Sequence, residues 1–189
     1  MFDKKTLFSR RTFVAAAGAS ALFAPAISVA QEASDDTRNI ASFSPHQWQD
    51  HFDALGVGIL MADTTGRFLQ HWTADGLMRM YPTSVPMTDD LTRLGYTKVV
   101  RKRVAPSWTP TPSMRERDPD LPLTMAGGDQ LNPLGSHALY LSWQYYLIHG
   151  TADTRKIGRR SSSGCIGLYN EQIAEVFGRT PVGTQVKLL

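Results

Sequence analysis

Ser161-Ser162-Ser163-Gly164-Cys165-Ile166-Gly167-Leu168 holds the chain's only cysteine, sixteen residues after the histidine of Tyr145-Tyr146-Leu147-Ile148-His149-Gly150-Thr151. The apolar run Tyr145 to Ile148 reads as a buried strand, with His149 at its end. A histidine closing one strand can face a cysteine opening the next element. A free thiol has a pKa near ~8.5 and attacks as thiolate, so a nucleophilic Cys165 needs a base, and His149 is placed to be one. Taken singly, a lone cysteine is most often a small buried hydrophobe and a lone histidine a structural one. The pairing is what points to acyl chemistry.

Outward from this pair the chain alternates short strands with turn signals. Val57 to Met61, the turn Asp63-Thr64-Thr65-Gly66 and Arg67 to Trp72 predict a hairpin. Strands are also expected at Tyr96 to Val104, Ala138 to Ser142, Tyr145 to Ile148 and Thr184 to Leu189. Ser44-Pro45 predicts a short helix with Trp48, Phe52 and Leu55 on one face, closed by Gly56. Asn170 is expected to cap a second helix, Glu171 to Phe177, closed by Gly178. Eight of the eleven prolines fall between Tyr81 and Pro133. Proline lacks an N–H and fixes φ, so this segment is expected to be a long ordered loop beside the cleft, anchored by Trp108, Tyr81 and Met114. Strands dominate, so the fold class is mainly β with short helices and a long proline-rich loop.

Ser9-Arg10-Arg11-Thr12-Phe13-Val14, the apolar stretch Val14 to Val29 and the small residues ending at Ala30 read as a twin-arginine signal peptide over 1–30. Residues 31–43 are polar and expected to be disordered, which leaves 44–189 as the catalytic domain. The signal implies export to the periplasm, with no stable membrane association after cleavage. It also carries Lys4, Lys5, Arg10, Arg11 and Asp3, and its removal leaves sixteen basic and sixteen acidic residues of the original 20 and 17. The alkaline balance therefore belongs to the signal and makes no case for nucleic acid. One cysteine cannot form an internal disulfide. His46, His51, His71 and His137 form no recognised ligand pattern, so no metal and no cofactor is expected.

His149-Gly150-Thr151, followed by Ser162-x-Gly164-Cys165-Ile166-x-Leu168-x-Asn170, resembles the signature of the YkuD-type L,D-transpeptidases, cysteine enzymes of bacterial cell-wall peptidoglycan. The likeness runs from about Gly56 to Leu189. It includes Pro106 to Met114, Asn132-Pro133-Leu134-Gly135, Ala138 to Leu141 and Pro181-Val182-Gly183-Thr184, in the family's order. The resemblance implies a mainly β, sandwich-like catalytic domain and two-step acyl transfer. Cys165 attacks the carbonyl of an L-centre in a stem peptide, releases the following D-residue, and passes the acyl group to the side-chain amine of a second stem's meso-diaminopimelate. It implies His149 as base, a carbonyl near Gly150 holding the imidazole tautomer, and the N–H groups of Gly164 and Cys165 as an oxyanion site. Peptidoglycan stems and glycan strands are the implied partners, and carbapenems the implied inhibitors.

Two positions depart from the family pattern. Ser163 stands where many members have histidine, and Gly167 where Arg or Asn is usual. An open floor at Gly167 is expected, with Arg159 or Arg160 supplying the missing charge. Ser162, Ser163, Gly167, Trp108, Tyr81, Arg159 and Arg160 are the substrate-binding candidates. The altered motif and proline-rich wall predict a divergent branch that uses L-alanine at position one as donor, giving 1→3 links. The alternatives are ordinary 3→3 cross-linking or protein attachment, an L,D-carboxypeptidase or endopeptidase on the same fold, and a non-catalytic wall-binding protein.

Overall fold

A computed structural model describes residues 44–189. The signal peptide read over 1–30 and the segment 31–43 lie outside the described residues. Among the described residues there are ten strands: β1 (Gly58–Asp63), β2 (Phe68–Thr73), β3 (Met78–Pro82), β4 (Val85–Pro86), β5 (Gly95–Val104), β6 (His137–Leu141), β7 (Leu147–Gly150), β8 (Arg160–Ser162), β9 (Ile166–Leu168) and β10 (Gln185–Leu188). Two short helices accompany them, α1 (Pro112–Arg117) and α2 (Asn170–Arg179). The protein is mainly β, as its sequence predicts. No helix among the described residues is long and apolar enough to cross a membrane.

Eight strands form one sheet in the order β3-β2-β1-β10-β5-β6-β7-β9. The ten-residue β5 joins its halves: Gly95 to Lys98 pair with β10, and Val99 to Val104 pair with β6. A register shift between Val99 and Arg101 makes Val100 an extra residue, and such a bulge bends a strand and re-aims the side chains beyond it. Strands from both ends of the sheet share one core, in which Leu69, Tyr81, Leu139, Ile148, Ile166 and Leu168 pack with Ile173 and Val176 of α2. The sheet therefore curls over itself. Ser84, just past β3, closes the curl onto β9: its N–H donates to the Gly167 carbonyl at 2.8 Å and the Gly167 N–H returns to the Ser84 carbonyl at 3.1 Å.

The β1–β2 hairpin forms as predicted, with the Asp63 carboxylate accepting from the N–H groups of Thr65 at 2.9 Å and Gly66 at 2.6 Å. Alternation sends Leu60 and Ala62 into the main core and Ile59 and Met61 to the other face. There Trp48, Phe52 and Leu55 cover Ile59, Met61 and Trp72.

Five expectations are corrected. The strand expected over Tyr145 to Ile148 is β7, Leu147–Gly150: Tyr145 stands at φ +67° in the preceding turn, and His149 lies inside the strand. The helix predicted from Ser44 is a single 3-10 turn, Trp48–Asp50. The reason is that the backbone of His46 is tied to the buried Gln70 amide, by His46 N–H to Oε1 at 2.9 Å and Nε2 to the His46 carbonyl at 3.2 Å. Gly178 lies inside α2 rather than after it. Asn170 does not cap its own helix. Its Oδ1 accepts instead from the Ser136 N–H at 2.9 Å. Finally, the segment from Tyr81 to Pro133 is not all loop, because it contains the end of β3, β4 and all of β5. Only residues 105–136 form the long connection.

Candidate active site

The connection after β5 is held by its own polar chemistry. The buried Asn132 donates from Nδ2 to the carbonyls of Pro106 at 2.8 Å and Ala126 at 2.9 Å, and its Oδ1 accepts from the Leu134 N–H at 2.9 Å. Three satisfied bonds at one buried amide fix the loop's two limbs together. Trp108 and Met125 add a two-way backbone pair at 3.0 and 2.7 Å. Thr111 caps α1 at Met114, and Pro112 takes its first position, where a missing N–H costs nothing. The loop is thereby a wall of defined shape.

β7 and β9 run parallel, with His149 opposite Gly167. Parallel partners and residues two apart share a face, so His149 and Cys165 lie on the same side of the sheet. The Nδ1 of His149 contacts the Gly150 carbonyl. A carbonyl can only accept, so Nδ1 carries the proton and Nε2 keeps its lone pair. Gly150 is itself pinned, because a Cβ there would strike Asn170 Oδ1 and press Ile173, while Gly135, at φ +60°, lets the opposing turn come equally close. Asn170 and Asn132-Pro133-Leu134-Gly135 thus position the carbonyl that orients the imidazole.

Burial pushes His149 down to about 4; the Gly150 carbonyl opposes this, and the Lys156 charge adds to it. Enclosure likewise pushes the Cys165 thiol up to about 11, against the help of the Leu147 N–H. The resting pair is therefore neutral thiol and neutral imidazole. The thiol donates to the Tyr145 carbonyl at 3.4 Å. Tyr145 sits at φ +67°, a strained conformation for an aromatic residue, and it aims that carbonyl at the sulfur.

The turn before Cys165 is knit through Ser162, whose hydroxyl donates to the Cys165 carbonyl at 2.5 Å and accepts from the Gly164 N–H at 3.3 Å. Gly164 stands at φ +130°, which glycine alone adopts without strain. The Gly164 N–H is thus engaged at rest, and the Cys165 N–H is the open donor of the expected pair. Arg117 of α1 reaches Ser163 Oγ at 3.3 Å, linking the wall to the Cys165 turn.

Two clefts meet at the sulfur. The smaller, about 280 Å³, is lined by His149, Thr151, Lys156, Ser84 and Ser161 to Ser163. The larger, about 580 Å³, is lined by Arg101, Arg103, Tyr140, Trp143 and Tyr145. Trp108, Met114, Leu134 and Cys165 border both.

Of the residues nominated from sequence, Cys165, His149, Ser162, Ser163 and Trp108 come together here. Others do not. Gly167 is buried, and a Cβ there would collide with Ser84 Oγ, so the floor expected to be open is filled by Ser84. Tyr81 is 5% exposed in the core, its phenol pushed up to about 12 by burial and by Glu175. Arg160 lines a separate cleft with Asp89, to which its Nη2 donates at 2.5 Å. Arg159 borders neither cleft at Cys165, and its backbone carbonyl accepts from Val85. Sequence reasoning missed Lys156, Ser84, Arg101 and Arg117. Lys156 looks like its charged neighbours Arg155 and Arg159, and nothing local marks Ser84. Among the described residues no three His, Cys, Asp or Glu side chains are grouped as metal ligands.

Residues 58–188 match the YkuD family profile, described as an L,D-transpeptidase catalytic domain. The chain belongs to this family. A relative from Fuscovulum blasticum, described as an L,D-transpeptidase in the ATP synthase subunits region, is 56% identical over 179 residues, 93% of each chain. The Escherichia coli K12 protein described as the probable L,D-transpeptidase ErfK/SrfK is 34% identical, over 72% of this chain but only 45% of its own length. The catalytic domain of the Enterococcus faecium L,D-transpeptidase acylated by ertapenem has the same fold, with a TM-score of 0.53 at 16% identity, over 70% of this chain and 96% of that one. By family, therefore, this protein is an L,D-transpeptidase.

Proposed function

We propose that the protein cross-links peptidoglycan stem peptides in the periplasm through a thioester on Cys165, after export by the twin-arginine route. The observation that carries this reading is the placement of one thiol at the junction of two clefts, one of them holding a neutral, tautomer-fixed imidazole. A single cleft would suffice for hydrolysis. Two let an acyl-enzyme remain bound while a second stem approaches.

With both groups neutral at rest, His149 takes the thiol proton as sulfur attacks rather than storing a thiolate beforehand. Leu147 N–H helps the developing thiolate. The Cys165 N–H, partnerless among the described residues, suits the developing oxyanion. Carbapenems present a strained carbonyl to the same sulfur. The ertapenem adduct of the Enterococcus protein supports the expectation that they acylate Cys165 here.

The 1→3 link expected from the sequence drew on the proline-rich wall, the altered motif and an open floor at Gly167. Ser84 occupies that floor, so donor choice passes to the two clefts. Purified protein acting on defined sacculi, with muropeptides read by mass spectrometry, tests the function. Dimers are expected from the wild type and none from Cys165→Ala. Shortened monomers without dimers would make the protein a hydrolase, and no product at all a wall-binding protein.

A further inference from the structure

A further cleft lies away from the sulfur and shares no lining residue with the two at Cys165. Its volume is about 310 Å³, at the lower end of the ~300–1,000 Å³ of small-ligand sites. Three parts of the chain build it. The turn from β1 to β2 gives Thr64, Thr65 and Arg67, the segment before β5 gives Asp89 and Leu94, and the start of β8 gives Arg160. Two guanidinium groups thus line the cleft against one carboxylate.

Both guanidinium groups are anchored by backbone carbonyls. Arg160 donates from Nε to Pro86 at 3.3 Å, and Arg67 from Nη1 to Gly158 at 3.0 Å. Anchoring restricts these long side chains beforehand, so less freedom is lost when a ligand binds them. Arg67 stands at φ +60°, a left-handed conformation that strains an arginine and not a glycine. One oxyanion is already seated: Asp89 accepts from Arg160 Nη2 at 2.5 Å through Oδ1. The seating is shallow, because the Asp89 side chain stays 95% exposed. An ion pair facing water so fully is weak, and the cleft remains open with Asp89 in place. Leu94, 57% exposed, offers apolar surface in the same cleft.

We propose that this cleft is a non-catalytic binding site for an acidic peptide, whose carboxylate takes the place that Asp89 holds on Arg160. Arg67 supplies the second cation, and an apolar neighbour of the ligand's carboxylate rests on Leu94. Free phosphate shares the oxyanion chemistry but has nothing to set against Leu94, so the peptide is the better fit. β8 carries Arg160 at one end and Ser162, which steadies the Cys165 turn, at the other. A peptide held here therefore lies one short strand from the thiol without entering its clefts. The site goes beyond the acyl-transfer reading and does not depend on it.

Amide NMR titration of the full chain with N-acetyl-L-alanyl-D-glutamate tests this, with the peptide's diamide and inorganic phosphate as comparisons. Saturable shifts are expected at Thr65, Arg67, Asp89 and Arg160, with none from the diamide and weaker binding of phosphate. R160Q should bind the peptide about tenfold more weakly, as loss of a charged hydrogen bond implies, and R160K should recover part of the affinity. D89N should bind it roughly two- to fivefold more tightly, because an exposed internal competitor is removed. A gain of this kind cannot come from a variant that fails to fold. Shifts that are absent or confined to the Cys165 clefts overturn the site, as do an unchanged affinity in R160Q and an equal or weaker affinity in D89N. Phosphate binding as tightly as the peptide overturns the assignment of a peptide ligand.

Discussion

The molecule buries two histidines toward opposite ends of its sheet, and burial pushes both down to about 4. His71 on β2 is 1% exposed, with Arg79 and Arg179 adding to the lowering; its Nε2 is 3.4 Å from the Thr180 hydroxyl, and it lines none of the clefts described above. His149 on β7 is 8% exposed, has its tautomer fixed by the next residue's carbonyl, and faces a cleft that holds a thiol. An equal shift thus accompanies unequal chemistry. Desolvation sets the protonation state in both places, but only a fixed tautomer with an accessible partner turns that state into a base.

Three experiments sharpen this contrast, and the first should show the largest effect. His149→Ala should lower acylation by roughly 10²–10⁴-fold at neutral pH. Part of the loss should return as pH rises toward the thiol's value of about 11, where the thiolate forms unaided. A loss of equal size at every pH would make His149 structural, like His71.

The second concerns stability. Both histidines are held neutral when folded, near 4, whereas an unfolded histidine titrates near ~6.5. Between those values the unfolded chain binds more protons, so stability is complete above about pH 6.5 and declines as pH falls toward 4. Each group accounts for on the order of 3 kcal/mol across that window. Melting temperature followed against pH should fall over this range. His71→Leu should flatten part of the fall while leaving acylation at neutral pH intact. An unchanged slope in that variant would show that His71 does not titrate with unfolding.

The third and smallest effect lies on the floor beneath His149. Gly167→Ala should cost about 1–3 kcal/mol through overpacking against Ser84. The double variant Ser84→Gly with Gly167→Ala should recover most of it, as two side chains competing for one space must couple. Additive costs in thermal melts would mean that the clash is relieved elsewhere.

The proline-rich segment shows where sequence reading worked and where it stopped. Proline bars a ladder bond at its own position, not across a region. Residues 87–105 contain none, so β5 forms between Pro86 and Pro106 and carries the bulge that turns Arg101. Counting prolines over the whole span blurred that boundary. The charged turn after His149 presents the opposite difficulty. Lys156 enters the cleft, Arg160 turns away to Asp89 and Arg155 pairs with Asp153. Their sequence environments are alike, and only packing separates them.

The sequence by itself determined the features whose physics is local: the alternation of β1 and β2, the Asp63 turn, a strand at Leu147 and Ile148 beside His149, and the glycine that lets the Cys165 turn close. It also singled out Cys165 and His149 as a pair, through a spacing that resembles one family's signature. The tertiary structure alone decided what distant residues bring to that pair. Ser84 reaches Gly167 only because the sheet curls, and Asn170 steadies Gly150 only because α2 packs across β6 and β7. Arg101 borders the sulfur's second cleft only because β5 bends. These contacts join residues tens of positions apart, and such pairings are fixed by the shape of the folded core, which no local pattern records.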